Sequence, residues 1–406
     1  MQTPQLTRLK LGRHNTLTPV GAEALAQLAA LECLDISSAP ISDACLGRLE
    51  GRLPALRSLT LHECCALTDA GLAALGSLQG LEEVDLSMTW KLGDATLEQL
   101  ARLPRLRRVD LTGCERFSPD GLSALGRLPA LRTLLLPACW QLGDEALGVV
   151  ARAMPQLTCL GLFEAGEAVT DAGLMQLTAL AGSLRQLDVG YSCWSHTSMG
   201  LCGLLSQLTG LQMLNVGGCE GGGDEVALTL AAACTQLTQL DISECQRLTA
   251  AGVRALGALP LLAELCLGWN LRLPDAALDA LPTSLTRLDL SFCAEMGDGA
   301  LRLLGRLPHL AVLSLRKCGK LGNEVGAAAT AAAAARGWRC WWMVPVCAGG
   351  LRCGPASGRC SWSTTRPLDW AGCLRSLLPP HPPSTPASHR RAWRCWPPPP
   401  PCASWT

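Results

Sequence analysis

Apolar and polar positions follow two different periods within one short segment, "LRSLTLHECCALTDAGLAALGSLQG", residues 56–80. Leu59 and Leu61 alternate with polar residues, as in a strand that buries one face. Leucines then recur at every third position from Leu72, as on the inward face of a short helix, and Thr68 stands where a helix N-cap is expected. The segment therefore predicts a strand, a loop, a helix and a connection back to the next strand.

This pattern recurs along most of the chain at intervals of 23 to 27 residues, most often 25. Thirteen copies begin at Leu6, Leu31, Leu56, Leu81, Leu106, Leu131, Leu157, Leu184, Leu211, Leu237, Leu262, Leu285 and Leu310. A period sustained over so many copies is typical of a solenoid, in which each unit covers its apolar face with its neighbours. We predict an α/β solenoid of horseshoe shape, with parallel strands on the concave face and short helices on the convex face.

Composition divides the chain into two parts of opposite charge. Residues 1–325 hold 25 Lys and Arg against 33 Asp and Glu, whereas residues 326–406 hold nine Arg and one acid, Asp369. The second part is rich in Pro, Trp and Cys and has no period that would bury a core. We predict a repeat domain over residues 1–335 and a disordered low-complexity tail over residues 336–406. The tail is compatible with a proline-rich ligand, a basic segment for anionic partners, or translation of GC-rich DNA outside its coding frame.

The acidic balance of the repeats argues against nucleic acid as a partner. The chain opens within a repeat and not with a signal peptide, and it contains no run of about 18 strongly apolar residues. Neither secretion nor a membrane is expected. We predict a cytoplasmic protein and leave a nuclear or ciliary location open.

Cysteine is frequent, and seven of the 22 cysteines stand eight positions after the first leucine of their repeat: Cys64, Cys114, Cys139, Cys219, Cys245, Cys293 and Cys318. Small or hydrogen-bonding residues such as Ser192 and Asn270 replace them elsewhere, which indicates a compact inward-facing position. A metal or redox site is the alternative, but the repeats contain no Cys-x-x-Cys pair with zinc spacing. We favour structural thiols and predict no metal and no cofactor.

Aromatic residues are rare in the repeats, and seven of them fall where a strand passes into its loop: Trp90, Trp140, Phe163, Tyr191, Trp194, Trp269 and Phe292. Core positions avoid rings, so we predict that these side chains anchor a partner protein. The alternative is that they cover the neighbouring turn. Phe117 replaces a leucine before a helix and is predicted to lie in the core.

Aspartate occupies the position between the two strand leucines in six repeats: Asp35, Asp85, Asp110, Asp188, Asp241 and Asp289. These side chains should face the concave surface and attract a basic peptide, so Asp85 and Asp110 join the predicted partner site. The interpretation that we favour for the column as a whole is local hydrogen bonding with neighbouring strands.

Another set of aspartates, including Asp69 and Asp94, recurs at the predicted helix starts. Repetition of this kind is typical of capping and not of a catalytic pair. The histidines share no spacing, and neither a G-x-S-x-G elbow nor a P-loop is present. We predict no enzymatic activity.

The segments "LRSLTLHECCALTDAGL", "LTQLDISECQRLTAAGV" and "LTRLDLSFCAEMGDGAL" resemble the cysteine-containing leucine-rich repeat of F-box/leucine-rich-repeat proteins. The resemblance covers about residues 4–325 and implies a ribonuclease-inhibitor-like leucine-rich-repeat horseshoe. In that family the array selects a substrate, and a separate F-box binds a Skp-type adaptor within a cullin-RING ubiquitin ligase. No F-box segment precedes Leu6.

The resemblance implies a protein-interaction scaffold that recognises substrates for an SCF-type ubiquitin ligase. Other proteins would bind through the concave face and its loop edge, and a Skp adaptor and cullin would be partners. The alternative function is a structural or assembly adaptor in a cytoskeletal or ciliary (axonemal) complex.

Overall fold

A computed structural model describes residues 6–12, 17–139, 141–165, 168–192 and 197–320, together with three short strands further along the chain. Trp140 and Trp194 lie outside the described residues, as does most of the predicted tail. Residues 1–341 and 342–406 form two separate compact units. In the second unit the structure describes one antiparallel pair, Leu351–Arg352 with Ser361–Trp362. The domain boundary at residue 335 and the disorder of the tail stay predictions.

Each of the thirteen repeats contributes one short strand to a single parallel sheet, and a fourteenth strand, from beyond the last repeat, pairs with the thirteenth. The strands are β1 (Arg8–Lys10), β2 (Cys33–Asp35), β3 (Ser58–Thr60), β4 (Glu83–Asp85), β5 (Arg108–Asp110), β6 (Thr133–Leu135), β7 (Cys159–Gly161), β8 (Gln186–Asp188), β9 (Met213–Asn215), β10 (Gln239–Asp241), β11 (Glu264–Cys266), β12 (Arg287–Asp289), β13 (Val312–Ser314) and β14 (Arg339–Cys340). Each strand pairs with the next in chain order. The register places equivalent repeat positions side by side, as between Asp85 and Asp110.

Each strand from β1 to β12 is followed by a short helical segment. The α-helices are α1 (Pro19–Leu25), α2 (Asp43–Gly47), α3 (Asp69–Leu72), α4 (Asp94–Leu100), α5 (Pro119–Ala124), α6 (Asp144–Ala153), α7 (Asp171–Gln176), α8 (Ser198–Gln207), α9 (Asp224–Ala233), α10 (Ala250–Leu256) and α11 (Asp298–Leu304). Four 3-10 segments, Ala73–Ser77, Leu125–Arg127, Leu177–Leu180 and Asp275–Ala280, extend or replace them. The predicted α/β leucine-rich-repeat solenoid is confirmed.

The core lies between the sheet and the helices and consists mainly of leucine. In the third repeat the strand leucines Leu59 and Leu61 and the helix leucines Leu72 and Leu75 are at most 1% exposed. Phe117 is buried at 7% exposure, as its leucine-like position predicts. Both apolar periods of the sequence therefore point into one continuous core.

The aspartates at the helix starts cap the helix of the following repeat. Oδ1 of Asp43 accepts a hydrogen bond from the Thr68 backbone N–H at 2.9 Å, and its Oδ2 accepts one from Thr68 Oγ1 at 2.6 Å. Thr68 Oγ1 in turn accepts from the N–H of Ala70 at the start of α3. The same bridge joins Asp94 to Ser118, Asp144 to Thr170, Asp171 to Thr197 and Asp224 to Thr249. Capping was predicted within one repeat, and the structure shows that it also links neighbours.

The type of residue three positions after the helix N-cap depends on the type of residue at the N-cap. In one group the N-cap is Thr or Ser, whose hydroxyl accepts a helix N–H and is hydrogen-bonded to an aspartate of the preceding repeat. In this group the residue three positions later is glycine: Gly71, Gly121, Gly173, Gly200 and Gly252. Where the cap is glycine, the residue is larger: Thr96, Ala146, Val226 and Ala300. A Cβ on Gly71 would lie 2.2 Å from Asp43 Oδ1, so a side chain there would displace the carboxylate from its place beside Thr68.

Within the part of the chain that the structure describes, no helix is both long enough and apolar enough to cross a bilayer.

Candidate protein-binding surface

The repeated cysteines hold neighbouring repeats together from the inside. Six of the thiols donate to a backbone carbonyl near the end of the preceding strand, at 3.2 to 3.4 Å: Cys64 to Ile36, Cys114 to Leu86, Cys139 to Leu111, Cys245 to Val216, Cys293 to Leu267 and Cys318 to Leu290. Asn270 makes the equivalent bond from Nδ2 to the carbonyl of Ile242 at 3.0 Å. The interchange of Cys and Asn in the sequence therefore has a shared cause, since both supply a compact donor to one carbonyl.

The chemistry of these thiols is set by their burial. Burial raises the pKa of Cys64 to about 12 and that of Cys139 to about 12, so both stay protonated at neutral pH and are poor nucleophiles and poor metal ligands. In the described residues no group of three or more His, Cys, Asp or Glu side chains is arranged to hold a metal ion.

The residue before the cysteine position turns the chain from the strand into the core. From the second repeat to the thirteenth this residue has φ between 53° and 70°, in the left-handed region: Ser38, Glu63, Met88, Gly113, Ala138, Glu164, Tyr191, Gly218, Glu244, Trp269, Phe292 and Lys317. Its N–H donates to a carbonyl of the next repeat, as from Trp269 to Ser291 at 2.7 Å. These twelve residues form one line along the edge of the sheet, which we call the corner ridge.

Three of the predicted anchors, Tyr191, Trp269 and Phe292, lie on the corner ridge. Bulky residues are rare in this region, where a side chain other than glycine costs roughly 1–2 kcal/mol. Gly113 and Gly218 occupy the same position in other repeats, so the fold does not require a ring there. The sequence places these aromatics at a strand end but does not reveal the left-handed corner, because ten of its twelve residues are not glycine.

Trp269 and Phe292 form an exposed stack on the ridge. Their ring centroids lie 3.9 Å apart with the planes at 9°, and Trp269 is 38% exposed. Lys317 Nζ lies 5.1 Å from the centroid of Phe292 on the far side of the pair. The ridge therefore presents the edges of two stacked rings, with a cation over the second ring.

Tyr191 is held across two repeats. Its hydroxyl donates to Glu244 Oε2 at 2.6 Å. Between them lies Gly218, where a Cβ would come within 2.5 Å of the tyrosine ring. Phe163 is only 7% exposed and packs against Tyr191 with ring centroids 5.2 Å apart, so this pair presents itself to a partner mainly through the tyrosine.

Trp90 lies two positions beyond the ridge in the fourth repeat and is half exposed, at 50%. Beside it Met88 is 41% exposed and extends over Gly113 of the next repeat. These two side chains form a second apolar patch, separate along the sheet from the stack of Trp269 and Phe292.

The aspartate column lies on the strand face of the sheet beside the ridge, where five of its members are partly exposed and Asp241 is 8% exposed. In all six aspartates Oδ1 accepts a hydrogen bond from the backbone N–H two residues later, at 2.7 to 3.1 Å. Asp188 also receives a side-chain hydrogen bond from Asn215 on the next strand. Local hydrogen bonding is confirmed, although most of these bonds lie within the strand's own turn and not between strands.

These carboxylates accumulate negative charge on one surface. Burial, together with the charge of Asp241, raises the pKa of Asp188 to about 7. Burial likewise raises the pKa of Asp110, with the adjacent Asp85 adding to it. At Asp35 burial acts in the same direction, but hydrogen bonds from Lys10 and Ser37 outweigh it and lower the pKa. The strand surface thus carries acidic groups that only some cations of the chain offset.

Comparison with known proteins agrees with this architecture. The Leucine Rich repeat family profile matches residues 4–26, 103–126, 233–257 and 282–305, each of which spans one strand and the helix after it. No curated protein sequence matches the chain. A chain of the yeast Rad7 and Elc1 complex is 20% identical, with a TM-score of 0.50 over 78% of this chain and 86% of that one. An internalin from Listeria monocytogenes is also 20% identical, with a TM-score of 0.45 over 71% and 88%.

Parallel strands, interlocked caps and a single layered core define a repeat scaffold for protein interaction. The fold is a leucine-rich-repeat solenoid, four of its repeats match the Leucine Rich repeat family profile, and most repeats carry the buried cysteine. Proteins of this class bind other proteins and are typically non-enzymatic.

Proposed function

We propose that this protein recognises substrates for an SCF-type ubiquitin ligase and binds them through the strand surface and the corner ridge without catalysing a reaction. The client-contacting residues in this proposal are Trp90, Trp140, Phe163, Tyr191, Trp194, Trp269, Phe292, Asp85 and Asp110. The observation that carries it is the placement of three large rings at left-handed corners where glycine fits better. The fold does not need a ring at this position, since Gly113 and Gly218 also occupy it, and this points to a role of the rings beyond folding.

Two observations support the ligase over other scaffold roles. The cysteine-containing repeats resemble those of F-box/leucine-rich-repeat proteins, and the hydrogen bonds of Cys64 and its equivalents give that cysteine a structural reason. The yeast chain of similar fold comes from a crystal structure of a Rad7 and Elc1 complex. A complex of this chain with a Skp-type adaptor is therefore the assembly to test.

The direct test mixes the purified full chain with purified Skp adaptor and with the adaptor–cullin complex, and follows co-elution by size-exclusion chromatography. We expect a stable complex with the adaptor. Purified tubulin and axonemal extract serve as the comparison. Binding to tubulin or axonemal proteins without any binding to the adaptor would replace the ligase proposal by the cytoskeletal one.

The anchors are tested by removing them without disturbing the fold. Trp269→Gly combined with Trp90→Ala should reduce capture of client proteins at least about tenfold, since buried aromatic anchors dominate interface energies. Glycine suits the corner at φ 62°, so the loss of the stack with Phe292 is offset by relief of strain. The measurement is quantitative mass spectrometry of proteins retained from proteasome-inhibited cells.

Met199→Ala is the matched control, because Met199 is 82% exposed on α8, on the helix side of the solenoid. It should leave both client capture and adaptor binding unchanged. Thermal unfolding of all variants is followed in parallel. A large fall in the unfolding temperature of the double variant would show that the rings are structural and would remove them from the site.

A further inference from the structure

Three aspartates of the strand surface form a row with a regular step. Asp188 on β8, Asp241 on β10 and Asp289 on β12 share one register position, and Asn215 and Cys266 occupy that position on the strands between them. Neighbouring strands lie about 4.8 Å apart. The carboxylates therefore recur about every 9.6 Å along a line perpendicular to the strands.

This step matches one backbone conformation of a bound peptide. A polyproline II helix has three residues per turn and rises about 3.1 Å per residue, so side chains on one face recur about every 9.3 Å. An extended strand repeats on one face after two residues, about 6.7 Å, and an α-helix after one turn of about 5.4 Å. Two steps of the row span about 19 Å, which equals six residues of polyproline II.

A row of rings accompanies the carboxylates. Tyr191 and Phe292 follow Asp188 and Asp289 by three residues, and Trp269 follows Cys266 by three. All three rings lie on the corner ridge, and in the stack of Trp269 and Phe292 the tryptophan is 38% exposed. Aromatic-lined surfaces of this kind bind proline rings of polyproline II segments, because that helix is ordered before it binds.

The electrostatics of the row favour a cationic ligand. Burial raises the pKa of Asp188, and the charge of Asp241 adds to it; burial raises the pKa of Asp241, and the charge of Asp289 adds to it. Each carboxylate thus opposes the ionisation of the next. Arg287, which lies close by on β12, is engaged with Glu264 at 3.7 Å. Cations spaced as the aspartates are would offset these charges one for one.

We propose that the row of Asp188, Asp241 and Asp289, with the corner rings beside it, binds a polyproline II segment of a client protein that carries Lys or Arg at every third position and proline between. This rests on the proposed client-binding role but not on the ubiquitin ligase. Recognition would depend on a match of lengths, because three residues of the bound peptide span the same distance as two repeats of this protein.

The test compares peptides of identical composition. Fluorescein-labelled Arg-Pro-Ala-Arg-Pro-Ala-Arg has arginine at every third position, and Arg-Ala-Arg-Pro-Arg-Ala-Pro has it at every second. Binding of each to the full chain is measured by fluorescence anisotropy at physiological salt. We expect the first peptide to bind about tenfold more tightly, since only it aligns three charges with three carboxylates. Equal binding of the two peptides, or no binding of either, overturns the proposal.

Substitutions locate the site. Asp188→Asn and Asp289→Asn should each weaken binding of the first peptide about fivefold or more, because each removes one partly desolvated charge pair. Asparagine is compatible with this position, as Asn215 shows. Asp35→Asn, in the same column but outside the row, is the matched control and should bind as the unchanged chain does. Equal weakening by all three variants would mean that only net charge matters, which contradicts the proposal.

Binding of the Skp adaptor is measured on the same protein preparations, so that the ligase role and the polyproline II ligand can be rejected independently of each other. Loss of peptide discrimination with adaptor binding intact rejects the polyproline II ligand alone. Peptide discrimination without adaptor binding rejects the ligase role alone.

Discussion

Replacing Gly71 by alanine is expected to destabilise the fold by about 3 kcal/mol, because the new methyl group would overlap the preceding repeat. A Cβ there would lie 2.2 Å from Oδ1 and 2.9 Å from Cα of Asp43. The carboxylate is not free to rotate away, since it holds both the N–H and the hydroxyl of Thr68 at the start of α3. The loss should be visible as a lower midpoint of urea unfolding.

Gly47→Ala is the matched control, because Gly47 also lies in a short helix but has nothing within 4 Å of the Cβ it would gain. Alanine there should be neutral or stabilise by less than about 1 kcal/mol. A second variant, Thr68→Gly with Gly71→Ala, reproduces the pairing of Gly143 with Ala146 and should recover part of the loss. If Gly71→Ala and Gly47→Ala had the same free energy of unfolding, the Asp43 carboxylate could move away from the new methyl group without loss of stability.

Asp188→Asn is expected to stabilise the folded chain at pH 8 and to have little effect near pH 4. Burial raises the pKa of Asp188 to about 7 in the folded chain, whereas an unfolded aspartate titrates near 4. The folded state binds this proton more tightly, so stability is lost as the pH rises from about 4 to about 7. The pKa difference of about three sets an upper limit of about 4 kcal/mol at pH 8.

The measurement is the free energy of unfolding of both chains in urea between pH 4.5 and pH 8. The asparagine still accepts the N–H of Gly190, so the local turn is kept. Asp35→Asn provides a control of opposite sign, because the pKa of Asp35 is lowered in the folded chain. Its carboxylate stabilises the fold above about pH 4 and loses that effect as the pH falls, so its removal should destabilise at neutral pH. If the difference in free energy of unfolding between Asp188→Asn and the unchanged chain did not vary with pH, a raised pKa of Asp188 in the folded chain would be contradicted.

The repeats, their strands and their core were predictable because each unit buries the same leucines at the same spacing. Thr68 was predictable as a cap because the residue type and the following helix pattern agree. The bridge from Asp43 to Thr68 was not, since a carboxylate at a helix start looks the same in sequence whether it serves its own helix or the next one.

The partner surface was predictable only in outline. The strand-end position of Trp269 and Phe292 is visible from the spacing, but their stacking and left-handed corners are not, because both depend on the neighbouring repeat. One available signal was the residue directly before each repeated cysteine, where Gly113 and Gly218 interchange with large side chains. The shared repeat position of Asp188, Asp241 and Asp289 is visible in the sequence, but the regular distance between them follows only from the strand order and register of the sheet.

The shared left-handed corner sets binding residues at fixed intervals along the array. The corners of the second to the thirteenth repeat share one backbone shape, whichever side chain they carry. Adding or removing a whole unit among them therefore changes the distance between two binding residues by one strand step, about 4.8 Å, without changing the local structure of either. Excision of residues 211–236 would bring Asp188 beside Asp241 and halve that interval. A gene that gains or loses such a unit would thus change the molecule's choice of client in discrete increments, with no substitution at any contact.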